Sequence, residues 1–202
     1  LSITKTVATL TAAIGLAGYF WTPWVVVPLI IVIAGGQQAC FVLTHEAAHY
    51  RLYRSRWLNE VIGRTLGAMV GISMCTYRVL HRLHHNNLYR PEDPDIPLVG
   101  GYPRGTGYLL RKLTTDLAGL TAHKTYAYFF GAPVINEDTQ QVNRPLNDTS
   151  RKLRRAARFD RWLVVGLQIA LLASAITFGV WVEYLVLWVL PAVTALQGLL
   201  RI

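Results

Sequence analysis

Long apolar runs alternate with polar segments along this chain and occur in two pairs. One pair lies at about 3–20 and 25–44, and the other lies at about 162–182 and 184–200. Runs of about 17–21 residues match the ~20 residues that an α-helix needs to cross a bilayer. The pattern therefore predicts an all-α, polytopic membrane protein with four transmembrane helices arranged in two hairpins.

The composition favours a membrane protein over a soluble one. Hydrophobic residues make up 52% of the 202 residues, and charged residues make up only 15%. The mean hydropathy is +0.31. A chain of this length offers too little polar surface to bury four such helices in a soluble core.

Basic residues are concentrated between the two apolar pairs. Of the 20 lysines and arginines, 18 lie between Arg51 and Arg161. Because cytoplasmic segments carry such an excess, we expect a cytoplasmic helical cap over about 45–161 and both termini in the cytoplasm. The isoelectric point near 9.9 then reflects one basic membrane face, so we expect no nucleic-acid partner.

The cap contains further helical patterns. Segment 58–76 is apolar but includes Arg64, which favours an interfacial or partly buried helix over a fifth span. Segment 108–131 predicts an amphipathic surface helix, and 150–161 predicts a basic helix that leads into the third span. A turn around Glu183 is expected to separate the last two spans.

Five of the six histidines occur in two short boxes, HEAAH from His45 to His49 and HRLHH from His81 to His85. On a helix, both spacings place every imidazole on one face. Imidazole is a common ligand of iron, zinc and copper, and five imidazoles exceed the needs of one tetrahedral zinc. The boxes therefore predict two metal ions, or one ion with many ligands. The candidate metal ligands are His45, His49, His81, His84 and His85.

The two boxes, the Asp93-Pro94-Asp95 segment and the hairpin–cap–hairpin layout resemble the integral-membrane fatty acid desaturase and hydroxylase family. The resemblance implies a non-haem centre of two irons bound by the five box histidines, with O2 as co-substrate. It also implies an oxidoreductase that acts on a membrane lipid or acyl substrate, most directly a fatty acid desaturase. Electrons would come from a small protein of the ferredoxin, rubredoxin or cytochrome b5 type. The expected location is a bacterial inner membrane, with several membrane passes.

The chain departs from this family at its C-terminal end. Members carry a third histidine box after the last hairpin, whereas this sequence stops at Ile202. The expectation is therefore a single desaturase-like domain over 1–202 whose C-terminal part is missing, and which alone binds iron weakly. His123, the sixth histidine, has no box around it and is not predicted to be a ligand.

Three alternatives remain open at the level of sequence. A lipid or alkane hydroxylase would use the same ligands. HExxH is also the signature of zinc proteases, with Glu46 as general base. An inactive, lipid-binding remnant would hold no metal.

The remaining polar candidates each have two interpretations. In the iron interpretation, Glu46 hydrogen-bonds to a histidine and orients it, or simply faces water. Asp93 and Asp95 are expected to form a turn, or to hydrogen-bond to a ligating imidazole. The basic residues that follow Ser150 predict anchors for anionic lipid, or a docking surface for an acidic electron donor. They are Arg151, Lys152, Arg154, Arg155 and Arg158.

Overall fold

The structure is a computed structural model. It describes residues 2–88, 90, 92–95, 105–135, 142–143, 146 and 149–200. Nearly all of the regular structure in these residues is helical, which confirms the all-α class. The exception is a two-residue antiparallel pairing of β1 (Val134–Ile135) with β2 (Val142–Asn143). The helices are α1 (Ile3–Tyr19), α2 (Pro23–Ala48), α3 (Arg56–Met69), α4 (Met74–Asn86), α5 (Thr106–Leu117), α6 (Ala122–Phe129), α7 (Arg151–Thr177) and α8 (Trp181–Leu200).

Three of these helices, α2, α7 and α8, are long and apolar enough to cross a membrane. They coincide with three of the four predicted spans. The remaining predicted span corresponds to α1, which has 17 residues and packs on α2, where Leu10 lies against Gly36. A fourth span and the pairing of spans into membrane hairpins stay predictions.

One face of α7 presents large apolar side chains to the surroundings. Trp162, Ile169 and Ile176 follow each other at intervals of seven residues and are 68%, 62% and 59% exposed. Seven residues are close to two helical turns, so the three side chains form one stripe. An exposed apolar stripe along a helix of membrane length fits a hydrocarbon environment better than water.

Two helices predicted in the cap are shorter or more divided than expected. The helix predicted over 58–76 is present as α3 but ends at Met69, and a separate helix, α4, begins at Met74. The helix predicted over 108–131 is wrong as a single unit, because α5 and α6 are separated by a turn. Gly119 in that turn has φ +75, and its Cα lies so close to α8 that an added Cβ would be 3.0 Å from the carbonyl oxygen of Val193. The helix is therefore interrupted at Gly119 by close backbone packing against α8, although the amphipathic sequence pattern continues through this position.

The turn predicted around Glu183 lies several residues earlier. Helix α7 ends at Thr177, and Gly179 adopts φ 72 in the turn. Glu183 instead occupies the first turn of α8, where a carboxylate interacts favourably with the positive end of the helix dipole.

Helix α8 contains a π-helical turn at Leu185–Val189, shortly before Pro191. Proline lacks an amide hydrogen and disturbs the preceding turn. The carbonyl of Trp188 accepts a hydrogen bond from Nε2 of Gln37 at 2.8 Å. A buried polar residue of α2 thus joins α2 to an irregular turn of α8.

The core lies where α2 meets the cap helices α3, α4 and α6. The rings of Phe41, Tyr77 and Phe129 contact each other with centroids 5.1–5.7 Å apart. Ile72 and Leu80 are completely buried in the same core. These contacts fix α4 against α2 and so determine where the two histidine boxes meet.

Asp160 of α7 anchors the beginning of α4. Its buried carboxylate accepts hydrogen bonds from the Ser73 hydroxyl at 2.8 Å and from the Cys75 amide at 2.9 Å. Arg64 of α3 lies 3.8 Å from the other carboxylate oxygen. One acidic side chain therefore stabilises a helix N-terminus and links three helices.

Asp160→Asn should lower the free energy of unfolding by about 1–2 kcal/mol, because the amide keeps the size but loses the charge and one acceptor. Equilibrium unfolding in detergent measures the change. Glu92→Gln, the same exchange at an exposed position, should change it by less than about 0.5 kcal/mol. Equal effects of the two substitutions would contradict an anchoring role.

Candidate metal centre

The first histidine box lies at the end of α2. The helix runs to Ala48 and His49 occupies its C-cap position, so the helix of the second apolar run extends through this box. His45 and His49 are one turn apart, and their ring centroids are separated by 4.8 Å. The end of a membrane-length helix thereby carries two imidazoles on one side.

The second box lies in the last turns of α4, as its spacing predicted. Helix α4 ends at Asn86, and Asn87 follows as its C-cap residue. The Asn87 side-chain amide donates to the carbonyl of Leu83 at 3.0 Å, so it satisfies a carbonyl that the helix end leaves open. This capping fixes the turn that carries His84 and His85.

Nitrogens from the two boxes converge on His81. Its Nε2 lies 2.9 Å from Nε2 of His49 and 2.9 Å from Nε2 of His85. His45 belongs to the same group, because one ring nitrogen from each of His45, His49 and His81 lies within 4.8 Å of the others. Two nitrogens bound to the same metal ion at ~2.1 Å are about 3.0–3.4 Å apart, which is close to the Nε2–Nε2 distances seen here.

The Tyr77 hydroxyl contacts two of these rings at Nδ1, the ring nitrogen other than Nε2. It lies 2.8 Å from Nδ1 of His45 and 3.4 Å from Nδ1 of His81. A hydrogen bond at Nδ1 leaves Nε2 as the nitrogen that can coordinate a metal ion. Tyr77 therefore orients one histidine from each box in the same way.

His84 is held by a pair of aspartates. Its Nδ1 lies 2.9 Å from the buried carboxylate of Asp93 and 3.3 Å from that of Asp95. The Asp95 amide also donates to Asp93 at 2.9 Å, and Tyr128 donates its hydroxyl to Asp95. Both sequence interpretations of this segment are thus observed together, because Asp93 closes a turn and also contacts an imidazole.

The environment keeps His81 neutral. Burial and then the neighbouring imidazoles, beginning with His45 and His85, lower the pKa of His81 to about 3. At neutral pH the ring carries no charge, and neutral imidazole is the form that binds metal ions.

A cavity of about 690 Å³ borders the convergent histidines. Its wall includes His49, His81 and His85, and it extends to Ser150 and Leu153 at the start of α7. Among the described residues, the imidazoles are therefore not sealed inside the helical core, and the cavity lies on the side where α7 begins.

Two other predicted candidates lie apart from this arrangement. His123 is exposed on α6 and makes none of the ring contacts that join the box histidines in the described structure. The half-buried Glu46 forms no side-chain hydrogen bond with another described residue, so its orienting role rests on the sequence alone.

Sequence reasoning missed three residues at this site: Tyr77, Tyr128 and Arg78. The spacing of Tyr77, four residues before His81, was a usable signal because it places both on one face of α4. Tyr128 contacts Asp95 across 33 residues, and no local pattern marks such a pair. Arg78 contacts the end of α2 and could not be found from spacing either.

The side chains that meet here suit a transition metal. One group consists of three imidazoles, and a second consists of His84, Asp93 and Asp95. Nitrogen donors with nearby carboxylates fit iron and zinc better than magnesium or calcium, which prefer oxygen ligands. The arrangement fits the iron that the family resemblance implies.

The fold and the site together define a helical protein with membrane-length apolar helices and a histidine-rich cluster that can bind metal. The chain belongs to the fatty acid desaturase family, whose sequence model matches residues 20–202.

Similar proteins include several acyl-lipid desaturases. The sn-1 oleoyl-lipid 12-desaturase of Arthrospira platensis is 27% identical over 183 residues, which cover 88% of this chain and 49% of that protein. The acyl-lipid (9-3)-desaturase of Physcomitrium patens is 38% identical over 72 residues, 31% of this chain and 14% of that protein. The sn-1 acyl-lipid omega-3 desaturase (ferredoxin) of a Nostoc strain is 29% identical over 65 residues, 32% of this chain and 18% of that protein. The chain thus matches less than half the length of each of these relatives.

Proposed function

We propose that this protein is an O2-dependent oxidoreductase that introduces a double bond into a lipid acyl chain. The observation that carries the proposal is the convergence of His49, His81 and His85 at 2.9 Å between successive Nε2 atoms, from two separate helices. Membership of the fatty acid desaturase family and the acyl-lipid names of its relatives support the substrate class.

The five box histidines would hold the metal centre. His45, His49, His81 and His85 lie together, and His84 is oriented beside them by Asp93. The general dependence of this family on iron favours iron as the metal. Five imidazoles exceed the needs of one tetrahedral ion, which favours a pair of irons. Bound iron would supply the redox chemistry that reduces O2. In the overall reaction the acyl chain loses two hydrogens, the electron donor supplies two electrons and the solvent supplies two protons, and O2 is converted to two waters.

The protein's own residues prepare this chemistry. Tyr77 fixes the rings of His45 and His81 through Nδ1, and Asp93 does the same for His84. The low pKa of His81 keeps its ring available for coordination at neutral pH. Phe41 and Phe129 pack beside Tyr77 and exclude water from one side of the histidines.

The proposed membrane arrangement has four spans in two hairpins, with α1 as the fourth span. The single domain then lies in a bacterial inner membrane, with its cap and both termini on the cytoplasmic side.

An acyl chain reaches the site from the bilayer, because the first box lies directly at the end of the apolar helix α2. A small electron-transfer protein of the ferredoxin, rubredoxin or cytochrome b5 type supplies electrons. The name of the Nostoc relative mentions ferredoxin, which supports the first of these types. The exposed basic residues at the start of α7 lie beside the cavity and offer charge complementarity to an acidic donor.

Metal analysis of the purified full-length protein tests the centre directly. Two irons per chain are expected, whereas a zinc protease holds one zinc and loses activity on Glu46→Gln. His45, His49 and His81 alone would suffice for one zinc ion. Finding one zinc per chain is therefore a realistic result, and it would contradict the proposed pair of irons. Absence of any metal would contradict every metal-dependent function.

Product analysis tests the reaction. Cells that express the full-length protein should accumulate acyl chains with a new double bond, and His84→Ala in that protein should lower iron content and abolish the product. A hydroxylated chain in place of the alkene would identify the hydroxylase alternative. Unchanged iron and product in His84→Ala would count against the proposed ligands.

A further inference from the structure

The residue that follows the first histidine box has an unusual backbone conformation. Tyr50 has φ 60, a region that residues with a Cβ rarely adopt. Its amide donates to the Ala47 carbonyl at 3.0 Å, and the Arg51 amide donates to the Glu46 carbonyl at 2.8 Å. This pair of hydrogen bonds is the helix-ending motif in which glycine is the usual residue. A tyrosine here costs about 1 kcal/mol or more relative to glycine, so other contacts must hold it.

Two arginines hold the Tyr50 ring. The guanidinium carbon of Arg78 lies 4.2 Å from the ring centroid, and that of Arg56 lies 5.0 Å from it. Cations at these distances are attracted to the face of an aromatic ring. The strained residue beside His49 is therefore tied to α4, because Arg78 belongs to that helix.

Arg78 also caps the helix that carries the first box. Its Nε donates to the Ala48 carbonyl at 3.1 Å, and its Nη2 donates to the Ala47 carbonyl at 3.1 Å. Both carbonyls belong to residues between His45 and His49. The last carbonyls of a helix lack the amide partner four residues later, and a cation there interacts favourably with the helix dipole. The Ala47 carbonyl also accepts from the Tyr50 amide and from the Asn59 side chain, so Arg78 adds charge to a carbonyl that is already hydrogen-bonded.

Glu60 of α3 also binds the guanidinium of Arg78. Its Oε1 accepts from Arg78 at 2.6 Å, and its Oε2 accepts from Arg64 at 3.0 Å. Burial would raise the pKa of Glu60, but hydrogen bonds and charges from Arg78 and Arg64 lower it overall. The carboxylate is therefore ionised at neutral pH and keeps Arg78 in one orientation.

We propose that Arg78, with Tyr50 and Glu60, is a positioning residue that sets the distance between the two histidine boxes. Arg78 lies one turn before His81 on α4 and contacts the turn of α2 between His45 and His49. The contact therefore fixes the separation of His49 and His81. A planar guanidinium reaches two carbonyls, a carboxylate and a ring at once, which the single ammonium of lysine cannot do. This inference rests on the proposed metal centre.

Two substitutions in the purified protein separate positioning from simple stabilisation. Arg78→Lys keeps the charge but loses the planar guanidinium that donates to several acceptors at once. It should weaken Co2+ binding by about 10–100-fold and change the visible Co2+ spectrum. Tyr50→Gly relieves the backbone strain, so the metal-free protein should unfold at the same or a higher temperature. Its affinity for Co2+ should nevertheless fall by roughly tenfold, because the ring that ties the first box to Arg78 is gone. Arg54→Lys, at an exposed position nearby, is the matched control and should change neither property.

The outcomes distinguish this inference from the proposed centre. If the unsubstituted protein binds Co2+ and both variants bind it with unchanged affinity and spectrum, Arg78 does not position the boxes. If both variants bind Co2+ more weakly and both also unfold at a lower temperature without metal, the residues only stabilise the fold and the inference is overturned. If the unsubstituted protein binds no Co2+, the proposed centre fails and the inference fails with it.

Discussion

Replacing His81 with alanine is expected to abolish metal binding and all oxidation of the acyl chain. His81 is the central member of the cluster, because its Nε2 lies 2.9 Å from both His49 and His85. Its ring centroid is also 4.4 Å from that of His45. Without this imidazole, the 2.9 Å contacts that join His49 to His85 through His81 are lost. Elemental analysis of the purified variant and lipid analysis of expressing cells measure the two losses.

His123→Ala is the matched control, since it removes the one histidine outside the boxes. It should leave metal content and product unchanged, because His123 is exposed on α6. Metal content in His81→Ala equal to that of the unsubstituted protein would contradict the convergent centre. A similar loss in both variants would point to a general effect of histidine removal on folding.

The helices that carry the boxes could be predicted because their signals are local. The spacing of His45 and His49, and of His81 and His85, requires only a helix to bring each pair onto one face. The apolar run before His45 predicts that α2 ends near the membrane surface. The sequence alone thus predicts a shared helix face within each box, without any knowledge of contacts between the two helices.

The contacts between the boxes could not be predicted, because they depend on tertiary packing. Tyr77 bridges His45 and His81, and Arg78 reaches the carbonyls of Ala47 and Ala48. Both contacts join residues about 30 positions apart, and no periodic pattern records such a pairing.

Errors in the predicted helix boundaries have a related cause. The segment 108–131 keeps an amphipathic pattern through Gly119, but the approach of α8 breaks the helix there. In the last apolar region, the single charge of Glu183 suggested a turn, whereas the chain turns at Gly179. Glycine flexibility and helix packing determined both breaks, while hydropathy and charge did not mark them.

The histidines are supported by groups that differ in chemistry. Tyr77 contacts His45 and His81 through a neutral hydroxyl, whereas the buried carboxylate of Asp93 contacts His84. A carboxylate at Nδ1 makes an imidazole a stronger electron donor than a hydroxyl does. The second box is therefore expected to contain unequal ligands, with His84 a stronger electron donor than His81.

Replacing Asp93 with asparagine is expected to weaken metal binding by about 10–100-fold, although asparagine forms the same kinds of turn. Asp93 accepts from the Asp95 amide at 2.9 Å, and asparagine can keep that bond. It cannot provide the charged carboxylate that lies 2.9 Å from Nδ1 of His84.

The comparison of Asp93→Asn with Asp93→Ala separates the two roles of this side chain. If the contact with His84 matters most, both variants lose metal affinity to a similar degree, measured by anaerobic titration with Fe2+. If Asp93 serves only the turn, Asp93→Asn binds as tightly as the unsubstituted protein and only Asp93→Ala is impaired. Glu92→Asn changes the exposed neighbour in the same segment and should leave the affinity unchanged. Because Asp93 is completely buried while Glu92 is exposed, a difference between these positions reports the imidazole contact and not the surface charge of the loop.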